Sequence, residues 1–369
     1  MKKSILIAII SAAAAALIAV VLFLIVPIAT SKTAEQKFSE AISETGIPDD
    51  MWSAGKVVYV PVFDHIVIDD LEFGDKWSIG YLKAKKAILK INTSKENIVS
   101  GSIDLQDASL SADGGGIIVK NFAVNNFSVD KSMFEYSPIE AIKKLDSISI
   151  SGGEYRQGGI QYFLVKKFNA NLNYTEGKIS NSSSISIKDF ISDLRKFIPY
   201  ENLRKEYRLS NIEIKFNRSG LVNLTIDGTN LFSIKSDIDI FLPQEITSSA
   251  SLSIFDEIDF NDVKLRSISL TFTDRSLLDH IFTLSGMTDN RAAAAQELKE
   301  AFLMYAESLG MEEERFANEA VKFITKPGRF EIKSNPVSPM SLEEITENPL
   351  AANLSLSING GKPFTARGY

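Results

Sequence analysis

Between Lys56 and Phe272 the apolar residues of this chain recur, in run after run, at every second position. Val58, Val60 and Val62 alternate, with Pro61 marking an edge or a bend, and His65–Ile68 and Asp70–Phe73 continue the pattern. Further runs span 98–110, 117–129, 147–151, 162–174, 178–187, 209–216, 221–227, 232–241, 250–255 and 263–272. Successive side chains of a strand point to opposite faces, so such runs bury one face and wet the other. Asp113-Gly-Gly-Gly116, Gly152-Gly153 and Gly158-Gly159 read as turns between runs, Asp-Gly being a hairpin signal. The fold class is mainly β (α+β), an elongated antiparallel meander.

Three stretches suit a helical period as well. Leu82, Ala84, Ala87, Ile88 and Ile91 fit either spacing, 140–145 reads as a helical turn, and Phe190, Leu194, Phe197 and Ile198 form one helical face that Pro199 ends. A short motif also recurs: a polar Asp or Asn, then apolar-x-apolar. It stands at Asp70-Leu-Glu-Phe73, Asp107-Ala-Ser-Leu110, Asn121-Phe-Ala-Val124, Asn126-Phe-Ser-Val129, Asn211-Ile-Glu-Ile214 and Asp262-Val-Lys-Leu265. Each copy reads as one short strand entered from a turn, the polar residue supplying the turn chemistry. The spacing is irregular, which excludes a solenoid of fixed period.

The pattern breaks at 274–325. Asp274 or Ser276 is placed to cap a helix. Ala294, Leu298, Ala301, Phe302, Tyr305 and Leu309 fall on one stripe, and Phe316, Ala320, Phe323 and Ile324 on another, before Pro327-Gly328. Both stripes are expected to pack on the adjoining sheet. Strand, extended link (Asn335-Pro-Val-Ser-Pro339) and strand close the chain.

At the other end, no residue from Ile5 to Ala29 carries charge. That is about 25 residues, or roughly 37 Å of helix, enough to cross a hydrocarbon core of about 30 Å. The run is longer than a signal-peptide core, and Pro27-Ile-Ala29 is a poor cleavage site. Lys2 and Lys3 stand before it with no acid nearby, so the amino terminus is expected in the cytoplasm and the rest beyond the membrane. The expected organisation is a transmembrane signal anchor at 1–31, a stalk helix and linker at 32–55 and a β-rich exported domain at 56–273. A helical segment at 274–326 then packs on the sheet, and a terminal β segment at 327–369 follows.

The net charge of -7, with acids and bases spread along the chain, argues against nucleic acid as a partner. No cysteine is present, which removes disulfides, thiol catalysis and cysteine metal sites. The two histidines, His65 and His280, each follow an aspartate, yet they lie far apart with no ligand motif around them. No nucleophile elbow, phosphate loop, dinucleotide fingerprint or metalloprotease motif occurs, and the glycine clusters stand between strands. No catalytic residue, cofactor or metal is expected.

A short basic amino terminus, one uncleaved helix and a long exported chain of alternating strands punctuated by the Asp/Asn motif resemble the AsmA-like group of bacterial envelope proteins. The resemblance covers roughly residues 1–275, and the helices at 274–325 depart from it. It implies a curved sheet whose apolar inner face carries lipid acyl chains, with a membrane and phospholipid as partners and the bacterial inner membrane as location, bulk periplasmic. The residues themselves leave two closures open. Either lipid covers part of the apolar face, or a second sheet or helix closes it as an ordinary core. Phe122, Val124, Ile212, Ile214, Leu224, Ile226, Ile238 and Ile240 alternate with polar neighbours and are the candidate lipid-contacting residues.

Overall fold

The computed structural model describes residues 52–60, 65–74, 81–95, 98–112, 115–130, 141–175, 182–192, 207–217, 219–241, 264–286, 290–308 and 310–365. The expected anchor lies outside these, as do the stalk and linker up to residue 51, Leu194, Phe197 and Ile198 of the expected helical face, and the run at 250–255; Trp52 and Ser53, within the expected linker, are strand. Among the described residues no helix is long and apolar enough to cross a membrane. The chain divides into two compact units near residue 180.

The first unit holds β1 (Trp52–Ser53), β2 (Lys56–Val60), β3 (His65–Phe73), β4 (Tyr81–Lys95), β5 (Ile98–Ala112), β6 (Gly115–Asp130), β7 (Ile142–Gln157) and β8 (Ile160–Thr175). β1 and β2 pair with β3, and β3 to β8 follow in chain order, each antiparallel to the next. The second unit holds β9 (Ser183–Ser192), β10 (Tyr207–Phe216), β11 (Leu221–Gly228), β12 (Phe232–Phe241), β13 (Lys264–Asp274), β14 (Arg329–Ser334), β15 (Ser355–Ile358) and β16 (Phe364–Thr365). These also pair antiparallel in order. Its helices are α1 (Leu277–Leu284), α2 (Arg291–Glu297), α3 (Lys299–Ser308), α4 (Glu313–Thr325) and α5 (Leu342–Glu347).

The strands of the first unit are long, and the Asp/Asn motif does not begin them. Asp70, Asp107 and Asn126 sit inside strands with left-handed φ of 51°, 48° and 51°. Around Asp70 and Asp107 the inward spacing lengthens from two residues to three: Ile68-x-x-Leu71 on β3 and Leu105-x-x-Ala108 on β5. Every neighbouring strand makes the same step at the same level. Ala84-x-x-Ala87, Val119-x-x-Phe122, Ile150-x-x-Gly153 and Val165-x-x-Phe168 align with it through the row Ile68–Ala87–Leu105–Phe122–Ile150–Phe168. The extra residue lies outward in each strand, exposed at Asp70, Lys85, Asp107, Lys120 and Lys166. A longer outer face curls the strand toward its apolar side. Because all six strands step together, the ladder passes this level without a register shift.

This step explains several misreadings. Gly152-Gly153 is no turn between strands: Gly152 (φ 59°) is the left-handed residue of the step in β7. A Cβ there would lie 2.8 Å from the Lys120 Cγ. Gly158-Gly159, by contrast, is the expected hairpin turn, with both φ positive and Gln157 paired to Ile160. Residues 142–145 and 190–192 are strand, not helix. An apolar pair three residues apart, such as Ala84 and Ala87 or Ile187 and Phe190, imitates helical spacing where a strand merely steps.

The curled face of the first unit is a continuous core. Ile68, Ala84, Ala87, Val124, Phe127 and Val129 are fully buried in it, and Phe122 is buried beside them. The second unit has its own cluster, in which α4 lays Phe316 edge-on to Phe364 at 5.4 Å and Phe323 near Phe330. The α2–α3 stripe differs from expectation: Ala295 and Ala306 face inward with Phe302, while Leu298 and Tyr305 are exposed. Two alanines on the inward side let α4 approach closely, and that turns the larger residues out.

Asp107→Val should destabilise the protein by about 1–3 kcal/mol, because a β-branched residue resists the left-handed region. Asp107→Gly should change stability by less than about 1 kcal/mol. Denaturant unfolding of both variants checks this; equal losses would mean that the step does not depend on this conformation.

Candidate functional site

The eight candidate residues part into three groups. Phe122 and Val124 lie inside the closed core of the first unit, Val124 with no exposure at all, so the expectation that they face a ligand is corrected for both. Ile238 and Ile240 are half-buried and pack against the helix-covered cluster of the second unit. Ile212, Ile214, Leu224 and Ile226 are half-buried and belong to neither core cluster among the described residues.

The register brings these last four together. Ile212 pairs with Ile187 on one side and Ile226 on the other, and the row continues through Ile234 to Phe272. A second row runs Ile185–Ile214–Leu224–Ser236–Leu270. Residues directly opposite in a ladder point to the same side. The two rows therefore form one apolar face across β9 to β13, a span of roughly 19 Å at ~4.8 Å per strand. Its apolar members are half-buried. The reverse side is polar, where Asn223 donates to Asp237 at 2.6 Å and Arg266 meets Asp239 at 3.2 Å. Sequence reasoning missed Ile185, Ile187 and Ile234, although each alternates as plainly as Ile212; only the register shows that they continue its row.

Hydrogen-bonding groups collect at one end of this face. The next row, Phe190–Leu209–Gly228–Phe232, ends at Asp274. Beyond Leu209 stand Tyr207 and its partner Ser192. Tyr207 Oη lies 2.6 Å from Nε2 of the buried His280 on α1. The start of α1 is held by the backbone: Leu231 O accepts from the N–H groups of Arg275, Ser276 and Leu277, and Asp274 Oδ1 accepts from Leu278 N–H at 3.0 Å. Asp279 pairs with Arg291, whose Nε donates to Ile324 O and whose guanidinium lies over the Phe282 ring. These contacts tie α1, α2 and the end of α4 to one another. Among the described residues no group of His, Asp and Glu side chains could hold a metal ion.

Comparison with known proteins adds little to this geometry. A family model described only as "Uncharacterized protein" matches residues 225–359, from within β11 through β15. No curated protein matches the chain. Among solved structures, the chain is similar to LptH, the LptA-homologous periplasmic component of the lipopolysaccharide transport device of Pseudomonas aeruginosa. That likeness covers 34% of this chain and 80% of LptH at 10% identity, with a TM-score of 0.15, and carries no argument about function. Neither match is to an AsmA-like protein.

Burial raises the Asp274 carboxyl above its ordinary value, against the lowering by the Leu278 N–H. The folded protein thus holds this proton more tightly than the unfolded chain. Stability from this group is present below the unfolded value and is lost as pH rises through the raised one. Asp274→Asn keeps an acceptor for Leu278 and removes the titration. Urea unfolding over a pH series should show the variant losing less stability than wild type as pH rises through that window; parallel curves would exclude the effect.

Proposed function

We propose that this chain is a membrane-anchored bacterial envelope protein that binds lipid acyl chains along the apolar face of β9 to β13, with no catalytic role. The observation that carries the reading is the pair of apolar rows through Ile212, Ile226 and Ile234 and through Ile185, Ile214 and Leu224, half-buried and outside both core clusters of the described residues. A cohesive apolar strip of this size, left to water, favours an apolar occupant. The uncharged run Ile5–Ala29 supports the anchor, and Lys2 and Lys3 support a periplasmic location for the bulk of the chain. Asp274 and Arg291, which cap α1 and tether it to α2 and α4, are read as structural rather than catalytic.

The first unit favours a second reading for its own sheet, that of a structural or interaction module with a closed core. There most residues on the same alternating pattern from β3 to β6 are buried, Val124 and Phe127 fully, while Ile148 and Ile150 on β7 are half-buried.

Lipids should copurify with the detergent-extracted full chain. Ile226→Asp should leave stability within about 1–2 kcal/mol and remove most of that lipid, because a carboxylate on this half-open face keeps contact with water. Val124→Asp, which buries an unpaired charge in the closed core, should cost several kcal/mol. Mass spectrometry and thermal denaturation read the two effects; global unfolding of Ile226→Asp would leave only the closed-core reading.

The amino terminus should remain in the membrane and the chain beyond it should be exported. Sequencing the mature amino terminus should find no new start near Thr30, and reporters fused after Gly55 should be active only outside the cytoplasm. A start near Thr30, or cytoplasmic reporter activity, would overturn the topology.

A further inference from the structure

Ser236 is the single polar member of the two apolar rows, standing between Leu224 and Leu270 across the ladder and between Ile234 and Ile238 along its strand. It is 3% exposed, and its Oγ is buried without a hydrogen-bond partner. Two other buried serines of this unit are satisfied: Ser334 donates to Ala352 O at 2.7 Å and Ser357 to Glu331 at 3.2 Å. A buried hydroxyl left without a partner destabilises the fold, and alanine at the same place would avoid that cost. The orphaned group sits on the face read above as the acyl-chain site. Its neighbours across the ladder, Leu224 and Leu270, are half-buried.

Resting on the acyl-chain reading, we infer that Ser236 selects the ligand: the acyl chain bound here carries a hydrogen-bonding oxygen part-way along its length, and Ser236 Oγ pairs with it. The polar end of the face fixes where that oxygen stands. From the row of Phe232 and Asp274 to Ser236 is a distance of four residues, roughly 13 Å at ~3.3 Å each. A head group among Tyr207, His280 and Asp274 therefore places the matching oxygen near mid-chain. An unsubstituted chain crosses the same surface and leaves the hydroxyl orphaned.

The test loads the delipidated full chain in detergent with an equimolar mixture of stearic acid, its α-hydroxy derivative and its mid-chain hydroxy derivative. Mass spectrometry then reads the bound ratio against a protein-free micelle control. Wild type should enrich the mid-chain hydroxy acid over stearic acid by roughly threefold to tenfold, the worth of one hydrogen bond. Ser236→Ala should bring that ratio to the micelle value, and Ser236→Thr, which keeps a hydroxyl, should retain enrichment. Equal binding of all three acids by wild type, or enrichment that survives Ser236→Ala, overturns the role of Ser236 and leaves the acyl-chain site standing. No bound acid of any kind overturns the site itself, and the inference with it.

Discussion

The ladder of backbone hydrogen bonds is the constraint on which everything else in this molecule depends. In an antiparallel sheet a strand that inserts one residue alone loses register with both neighbours, and every side chain beyond the insertion changes face. The first unit avoids this by inserting the residue in six strands at once. Asp70, Lys85, Asp107, Lys120, Gly152 and Lys166 stand at one level, and the core residues on both sides of it keep to one face. At this level the left-handed residues fall on alternate strands, β3, β5 and β7, and each is Asp or Gly. Those residue types tolerate that conformation at least cost. Asp189 on β9, also left-handed, stands between Ile187 and Phe190 in the same three-residue spacing.

That geometry accounts for what the amino-acid sequence disclosed and what it hid. Alternation revealed the β class, the antiparallel order and some of the residues of both apolar faces. The recurring Asp/Asn motif was equally visible, but its meaning was inverted. A polar residue before apolar-x-apolar looks like turn chemistry when one strand is considered by itself. It becomes a bend only when Asp107 is seen level with Asp70 and Gly152, and that alignment is a property of pairing. The same blindness turned Gly152 into a turn and Phe190 into helix.

The candidate site was legible residue by residue and illegible as a surface. Val124 and Ile226 have a similar local pattern, a β-branched apolar residue two places from another apolar residue and followed by a polar one. One is fully buried and the other half-buried. Burial is set by what covers the face, and no local pattern reports that. In the second unit α4 and the strands β14 to β16 form a cluster reaching Ile238, Ile240 and Ile268, while Ile212, Ile226 and Ile234 lie outside it.

The two units thus pose one physical question with different answers. An apolar face must exclude water, and conformational entropy is lost by whatever does the excluding. In the first unit large side chains such as Phe127 and Leu89 are buried in the face itself, so the cover is permanent and any charge introduced there is stranded. In the second unit isoleucine and leucine make up most of the two rows across β9 to β12, the cluster with α4 reaches Ile238 and Ile240 of β12 and Ile268 of β13 among the described residues, and the Ser236 hydroxyl lies unpaired between Leu224 and Leu270. A permanent cover would be expected to satisfy or replace that hydroxyl, as the Ala352 carbonyl does for Ser334. Its persistence fits a cover that comes and goes, and an occupant that brings its own acceptor supplies the missing bond only while it is bound.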